Sequence, residues 1–356
     1  MAREGEELVS VLDQAPLMLL GDIGATNARI ALSTRSEFLV QHEFKTQNFN
    51  SLTEVIEQFF AQANIDGDLK NKIDMSCFGV AGPVRGGEAF LTNVGWSVSE
   101  RELETCLDAP SLIVNDFYAQ AAAVPHLEKH SLFPLCGRRD HALQAGQTVA
   151  VMGAGSGLGQ ALLISSGQSD LLHARLSPAE KIDRSDQWFA IATEGGHARF
   201  APRDEVEIGL SRWLKGYYGE HVSVERVVSG PGIVDLFKYL LGSRSLPEYF
   251  ETPITGEQIS EAALNQTDPT AVKTMSYFIS AYADEAANFA LKSNAGTVIL
   301  SGGIAPQIIP LLQEYFPPHF IAKGRYQTWL ERVGVWVVTE KYPAMIGARA
   351  LALRLC

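Results

Sequence analysis

The plan of strand, glycine turn and strand occurs twice in this chain of 356 residues, and any fold it adopts has to present both copies. The first copy, residues 17–31 (L-M-L-L-G-D-I-G-A-T-N-A-R-I-A), runs from an apolar stretch through Gly21, Asp22 and Gly24 into the alternation of Ala28, Ile30 and Leu32. The second opens on the apolar residues 148–152, turns at G-A-G-S-G-L-G (153–159) and resumes at 160–165. Glycine at such a tip lets backbone N–H groups reach an anion with no Cβ in the way, while Asp22, Thr26 and Asn27 add a carboxylate and side-chain hydrogen bonds. These are the parts of a phosphate and magnesium site, although one such hairpin alone is equally an ordinary Gly/Asn turn. Two halves, each offering a hairpin tip to a shared cleft, is the architecture that the repetition suggests.

Length agrees, since 356 residues exceed what one core usually supports. Against 29 basic residues stand 41 acidic ones, a net charge of −12, which argues against a polyanion-binding surface and so against nucleic acid as the main ligand. A small-molecule partner fits better. Cys77, Cys106, Cys136 and Cys356 lie far apart and form no C-x-x-C pair, so neither a zinc ribbon nor a disulfide framework is expected, and a reducing cytoplasm suits them. Residues 1–16 are acidic, carry no basic leader charge and precede an apolar run too short to span a membrane; they read as a loose leader.

Along the chain, 38–44 alternates as a strand, and 51–63 has helical periodicity, with Ser51 and Glu54 placed as a capping box. Residues 73–80 form a core strand, 89–96 a further strand-like run, and 99–107 a short helix. The short strand 111–114 enters Asn115-Asp116 directly, and an alanine-rich helix follows to 124. Polar residues at the carboxyl end of a buried strand are where open α/β sheets keep their chemistry. A charged, Gly/Pro-punctuated stretch, 126–147, reads as the crossing into the second half. There T-E-G-G-H (193–197), a helix at 204–217, E-R-V-V-S-G-P-G (225–232), helices through 233–296, a strand at 297–300 entering Ser301-Gly302-Gly303, a strand at 333–338 and a closing apolar helix at 344–355 follow in turn. The closing helix is expected to pack back on the first half.

No G-x-x-x-x-G-K-[ST] occurs, Leu158 spoils a G-x-G-x-x-G reading of 153–159, and G-x-S-x-G is absent. His126 and His130 fall at i, i+4 on a helical face but lack the rest of a zinc motif. Read from residue type alone, Asp116 is either a general base or the cap of the helix after it, and a carboxylate committed to backbone N–H groups could do only one of these. Glu194 and His197 are either a polyol site or a surface turn, and Glu225 either joins them or is a capping or ion-paired residue.

Taken together, 21–29, Asn115-Asp116, 153–159, 194–197, 225–232 and 301–303 resemble the bacterial-type glucokinases, a group of sugar kinases in the actin-like ATPase superfamily distinct from the zinc-containing kinase and repressor (ROK) group. The likeness runs from about residue 17 to the C-terminus. It implies an α/β, two-domain, ribonuclease H-like fold with a central cleft: residues 17–126 plus 336–356 as a small domain and 127–335 as a large one. It implies phosphorylation of glucose to glucose 6-phosphate, the first step of glycolysis, with ATP and Mg²⁺. On that likeness Asp116 is the base and Asn115, Glu194, His197 and Glu225 hold the sugar. Gly21, Asp22, Ile23, Gly24, Ala25, Thr26 and Asn27 form the first phosphate loop, Gly155, Ser156 and Gly157 the second, and Gly302 and Gly303 lie near the adenosine. Asp22 approaches Mg²⁺ through water. A cytoplasmic homodimer is implied too. Ala25 departs from the family's usual glycine, and at a position needing positive φ it would weaken nucleotide binding; Ser156 replaces a common threonine but keeps the hydroxyl. A kinase for another hexose, or a catalytically weak sugar sensor on the same scaffold, is the alternative.

Overall fold

The computed structural model describes residues 16–65, 67–140, 143–144, 146–165, 188–247 and 250–355. All but the last residue of the leader therefore lies outside the described residues. The chain divides into two units, Met1–Leu127 with Lys341–Cys356, and Glu128–Glu340.

The first unit is built on a five-stranded sheet. β1 (Leu17–Ile23), β2 (Asn27–Ser33) and β3 (Phe38–Lys45) form an antiparallel meander, and β4 (Ile73–Val80) extends the sheet parallel to β1. A small antiparallel sheet of β5 (Val84–Arg85), β6 (Glu88–Leu91) and β7 (Trp96–Ser99) stands apart, and β8 (Ser111–Asn115) completes the main sheet beside β4. The order is β3-β2-β1-β4-β8. Alternation decides the layers. Leu17, Leu19 and Ile23 enter a core with Ile30, Val55, Phe59 and Leu103, whereas the opposite face of β1 receives the closing helix Pro343–Ala352, as expected of it, which also packs on the helix Asp116–Ala123.

The run 89–96 is not one strand. It is a hairpin, β6 turning into β7 through Gly95 at φ +72°. Nor is there a capping box at Ser51: its hydroxyl accepts from the Glu54 N–H at 3.2 Å, but the Glu54 carboxylate accepts from the Asn50 N–H instead. His126 and His130 share no helix, because Val124–His126 and Lys129–Ser131 are separate single turns with Leu127 extended between them.

The second unit holds a six-stranded sheet. β9 (Leu132–Cys136) is an edge strand inside the stretch read as a crossing, and β10 (Thr148–Ala154), β11 (Leu158–Ser165) and β12 (Trp188–Thr193) form a second antiparallel meander. β13 (Thr297–Ser301) and β14 (Gly334–Val338) run parallel to β10, giving the order β12-β11-β10-β13-β14-β9. The return to the first unit falls at Lys341 rather than at 336, since residues 336–338 are hydrogen-bonded into this sheet by β13 and β9. The 25-residue helix Pro269–Ser293 supplies Phe278, Tyr282 and Ala286 to the core under it.

Candidate functional site

In the first unit, three parallel strands end level with one another, with Ile23 beside Val80 and Val80 beside Asn115. That alignment sets Asp22, one residue from the end of β1, and Asp116, one residue past the end of β8, at the same edge of the sheet. Asn115 caps the helix Asp116–Ala123: its Oδ1 accepts from the Phe117 and Tyr118 N–H groups at 3.0 and 3.1 Å, and its Nδ2 donates to the Gly82 carbonyl at 3.1 Å. The competition foreseen for Asp116 is thus resolved by its neighbour. Asp116 accepts the Phe117 N–H at Oδ1 at 2.8 Å but is not the residue that caps the helix. Burial, reinforced by the Asp22 charge and opposed by hydrogen bonds from the Phe117 N–H, its own N–H and the Asn115 side chain, pushes the Asp116 carboxyl up to about 6.

Asp22 lies in register with Arg29, whose guanidinium bonds it at 3.1 Å, bonds Glu43 at 2.8 Å and sits 4.9 Å from the Tyr342 ring centroid. Burial outweighs Arg29 and raises the Asp22 carboxyl above its ordinary range. Gly21 and Ile23 are fixed in the β1 ladder, Gly21 where any Cβ would strike the Phe78 ring and Ile23 in the core, so the exposed part of the tip is the turn that follows. There Gly24 donates to the Asn27 carbonyl at 2.9 Å, while the Thr46 N–H binds the Thr26 carbonyl and its hydroxyl the Gly24 carbonyl. Ala25 adopts no positive φ; among the described residues the non-glycine positions that do are Asn64, Asp108, Gln266 and Asn294. The strain expected at Ala25 is absent, and hydrogen bonds from Thr46, the residue after β3, hold the turn. Lys45, at the end of β3, donates to Asn27 Oδ1 at 2.8 Å and brings a cation to the tip that motif reading overlooked.

In the second unit the turn between β10 and β11 carries Gly155, Ser156 and Gly157. Gly155 donates to the Gly157 carbonyl at 2.8 Å and its own carbonyl accepts from the Gly230 N–H at 2.8 Å, so the S-G-P-G string meets this turn. Ser229 caps the helix Gly230–Leu241. Glu225 accepts from the Leu158 N–H at 3.0 Å, and a Cβ on Gly157 would come within 2.6 Å of its Oε2. His197 joins Glu225, Nδ1 to Oε1 at 3.9 Å, and Glu194, Nε2 to Oε2 at 3.7 Å. All three expected sugar residues of this unit are therefore together, beside the second glycine turn. Gly302, at φ +83°, follows β13 where a Cβ would lie 2.6 Å from the Ala154 carbonyl; it too abuts the turn, with Gly303 open beside it.

Carboxylates, an imidazole and amides from T-E-G-G-H and Glu225 suit a polyol, and the glycine turns suit phosphate oxygens. Among the described residues no group of three or more His, Cys, Asp or Glu side chains could enclose a metal ion. Asp22 alone fits magnesium only where water and phosphate oxygens complete the octahedron, which is how that ion is commonly held on a nucleotide.

A sequence model of the Glucokinase family matches residues 19–175 and 176–355. A glucokinase of Trichormus variabilis is 33% identical over 95% of this chain and 99% of its own. The crystal structure of a glucokinase from an Antarctic psychrotroph aligns at TM-score 0.74 with 28% identity, over 96% of this chain and all of that one. The glucokinase of Balamuthia mandrillaris, solved with glucose, aligns at TM-score 0.77 over 98% and 99% of the two chains at 20% identity, a likeness of fold.

Proposed function

The chain belongs to the glucokinase family, with its actin-like ATPase fold, and from that premise we propose which of its residues carry the family's reaction. It phosphorylates glucose. In our reading the donor is ATP, and each unit supplies one part of the chemistry.

Asp116 takes the proton of the sugar 6-hydroxyl as that oxygen attacks the γ-phosphoryl in line. The observation that carries this is the division of labour at the end of β8: Asn115 does the capping and leaves Asp116 outside the cap, with a carboxyl pushed up to about 6. A base so tuned is ionised at neutral pH yet holds a proton better than an ordinary aspartate. Glu194, His197 and Glu225 accept and donate to the sugar hydroxyls, so that a sugar lacking one of them loses a hydrogen bond there. The turns at Gly24, Ala25, Thr26 and Asn27 and at Gly155, Ser156 and Gly157 offer N–H and hydroxyl groups to the phosphates. Gly302 and Gly303 give a flat, side-chain-free surface for the adenosine. Asp22 would hold Mg²⁺ through water, and the ion would neutralise charge on the β- and γ-oxygens.

The same proposal takes in a cytoplasmic enzyme at the entry to glycolysis, and a homodimer whose mass sedimentation would read. No described helix is long and apolar enough to cross a membrane.

The deciding experiment is ADP formation by purified protein with Mg-ATP and a panel of hexoses, run beside Asp116→Ala. Glucose-dependent turnover lost in the variant, with glucose affinity retained in calorimetry, supports the assignment. Near-normal turnover in Asp116→Ala removes it.

A further inference from the structure

The T-E-G-G-H turn is not held by its own residues alone. Gln160, on β11, lies in register with Thr193; its carbonyl accepts from the Thr193 hydroxyl at 3.0 Å, and the same hydroxyl accepts from the Gly195 N–H at 3.3 Å. Gly195 rests so closely on the Gln160 side-chain carbonyl, and Gly196 on the Leu158 backbone carbonyl, that neither position has room for a Cβ. The floor beneath Glu194 and His197 is thus a pair of residues from β11, the strand that leaves the second glycine turn.

Gln160 is 4% exposed, and its amide donates at 3.0 Å to Glu285, 6% exposed and 125 residues further along the chain. Glu285 belongs to the long helix Pro269–Ser293, and the polar chain continues: Asn288 Nδ2 bonds both Glu285 and Asp284, and Lys323 Nζ bonds Asp284 at 2.6 Å and Asn288 Oδ1 at 2.7 Å. Burying a carboxylate against two side-chain amides is costly, and apolar residues of the same volume would pack as well or better. A polar pair at this place has a positional use.

We infer that Gln160 and Glu285 are positioning residues for glucose: Glu285 fixes the Gln160 amide, and Gln160 sets the height and direction of the turn that carries Glu194 and His197. This rests on the reading of Glu194 and His197 as sugar ligands. Neither Gln160 nor Glu285 touches the sugar in it, so their loss acts through the turn. A shift of well under 1 Å in that turn weakens several hydroxyl contacts at once.

Steady-state kinetics with glucose and ATP varied separately, and melting curves, test the pair. Gln160→Glu sets two carboxylates 3.0 Å apart; it should raise KM for glucose roughly tenfold while changing KM for ATP less than about twofold. Glu285→Gln keeps one carbonyl acceptor, for Gln160 or for Asn288 but not for both, and should raise KM for glucose less than Gln160→Glu does. The exchange Gln160→Glu with Glu285→Gln restores a donor facing an acceptor, and should bring KM for glucose back toward the parent value. His197→Ala serves as the control for the underlying reading and should raise KM for glucose by itself. If His197→Ala does so but Gln160→Glu only lowers the melting temperature, or the exchange fails to rescue a folded protein, the positioning role is overturned. If His197→Ala leaves KM for glucose unchanged, the sugar reading fails and takes the inference with it.

Discussion

The two units share one scaffold and furnish its edge with different residues. Each has an antiparallel meander whose first strand is extended by two parallel strands, β3-β2-β1-β4-β8 in one and β12-β11-β10-β13-β14 in the other. In each, the first hairpin turn and the ends of the parallel strands lie at the same edge. The first unit places carboxylates there, Asp22 and Asp116. The second places glycines there and brings its carboxylate, Glu225, from a separate turn. Their turns also take different side chains: Lys45 is bonded to Asn27 at one, and Glu225 to the Leu158 N–H at the other. A carboxylate built into a strand end is held rigidly enough to act as a base. One that arrives from outside can bond a ligand and a backbone amide together.

The comparison breaks most sharply at Asp116. Asp116→Asn should lower kcat by about 10³-fold, within the usual range for a lost general base, with little change in glucose affinity. The parent kcat/KM should fall as pH drops through about 6, where the carboxyl gains its proton. The stability effect has the opposite sense. With the folded carboxyl near 6 and the unfolded one at its ordinary, lower value, the folded state binds more protons between the two, so stability rises as pH falls across that window. Asp116→Asn should therefore melt above the parent at pH 7, and the gain should vanish toward pH 4. A variant less stable than the parent at pH 7 would show that the ionised carboxylate is favourably held.

The glycine tips should answer differently to the same change. Gly157→Ala places a methyl 2.6 Å from Glu225 Oε2, the mobile end of a side chain, so the fold should survive while Glu225 is pushed away. KM for glucose should rise roughly tenfold, with a small change in melting temperature. In the first unit the nearest atom to a Gly24 methyl is the Asn27 carbonyl oxygen at 3.3 Å, and Gly24 holds no positive φ. Gly24→Ala should leave KM for glucose unchanged and move KM for ATP by about twofold. Equal effects on glucose from the two variants would contradict a glucose effect transmitted through Glu225, which only the second tip touches among the described residues.

Most of this scaffold was legible because its signals are local. Four-residue apolar runs bounded by glycine read as strands, and the helices starting after Ser51, Ser99 and Asp204 lie where those side chains cap them. What escaped depends on contacts distant in sequence. β9 carries a proline and, among the described residues, pairs only with β14 near the other end of the chain, so no local period announces it. Asn115 and Asp116 were legible as a pair, but which one caps and which remains open was decided by Gly82, thirty-three residues earlier. The link from Gln160 to Glu285 spans 125 residues and leaves no motif at either end.

Ala25 gives the smallest effect and the finest test of the first tip. A glycine is favoured in such a turn when φ is positive, which would make alanine a defect and Ala25→Gly a repair. Here the turn is set from outside, by the Thr46 N–H on the Thr26 carbonyl and the Thr46 hydroxyl on the Gly24 carbonyl, and Ala25 keeps an ordinary φ. Alanine then costs nothing, and glycine only adds freedom to the unfolded chain. Ala25→Gly should change KM for ATP by less than about twofold and lower stability by about 0.4–1 kcal/mol, read by denaturant unfolding. The hold on the turn predicts a coupling as well: Thr46→Val removes the hydroxyl that binds Gly24, and in that background Ala25→Gly should become the more harmful change for ATP. If Ala25→Gly instead tightens ATP binding severalfold, the nucleotide-bound turn adopts a conformation that alanine resists, and the first tip is held less firmly than its hydrogen bonds to Thr46 imply.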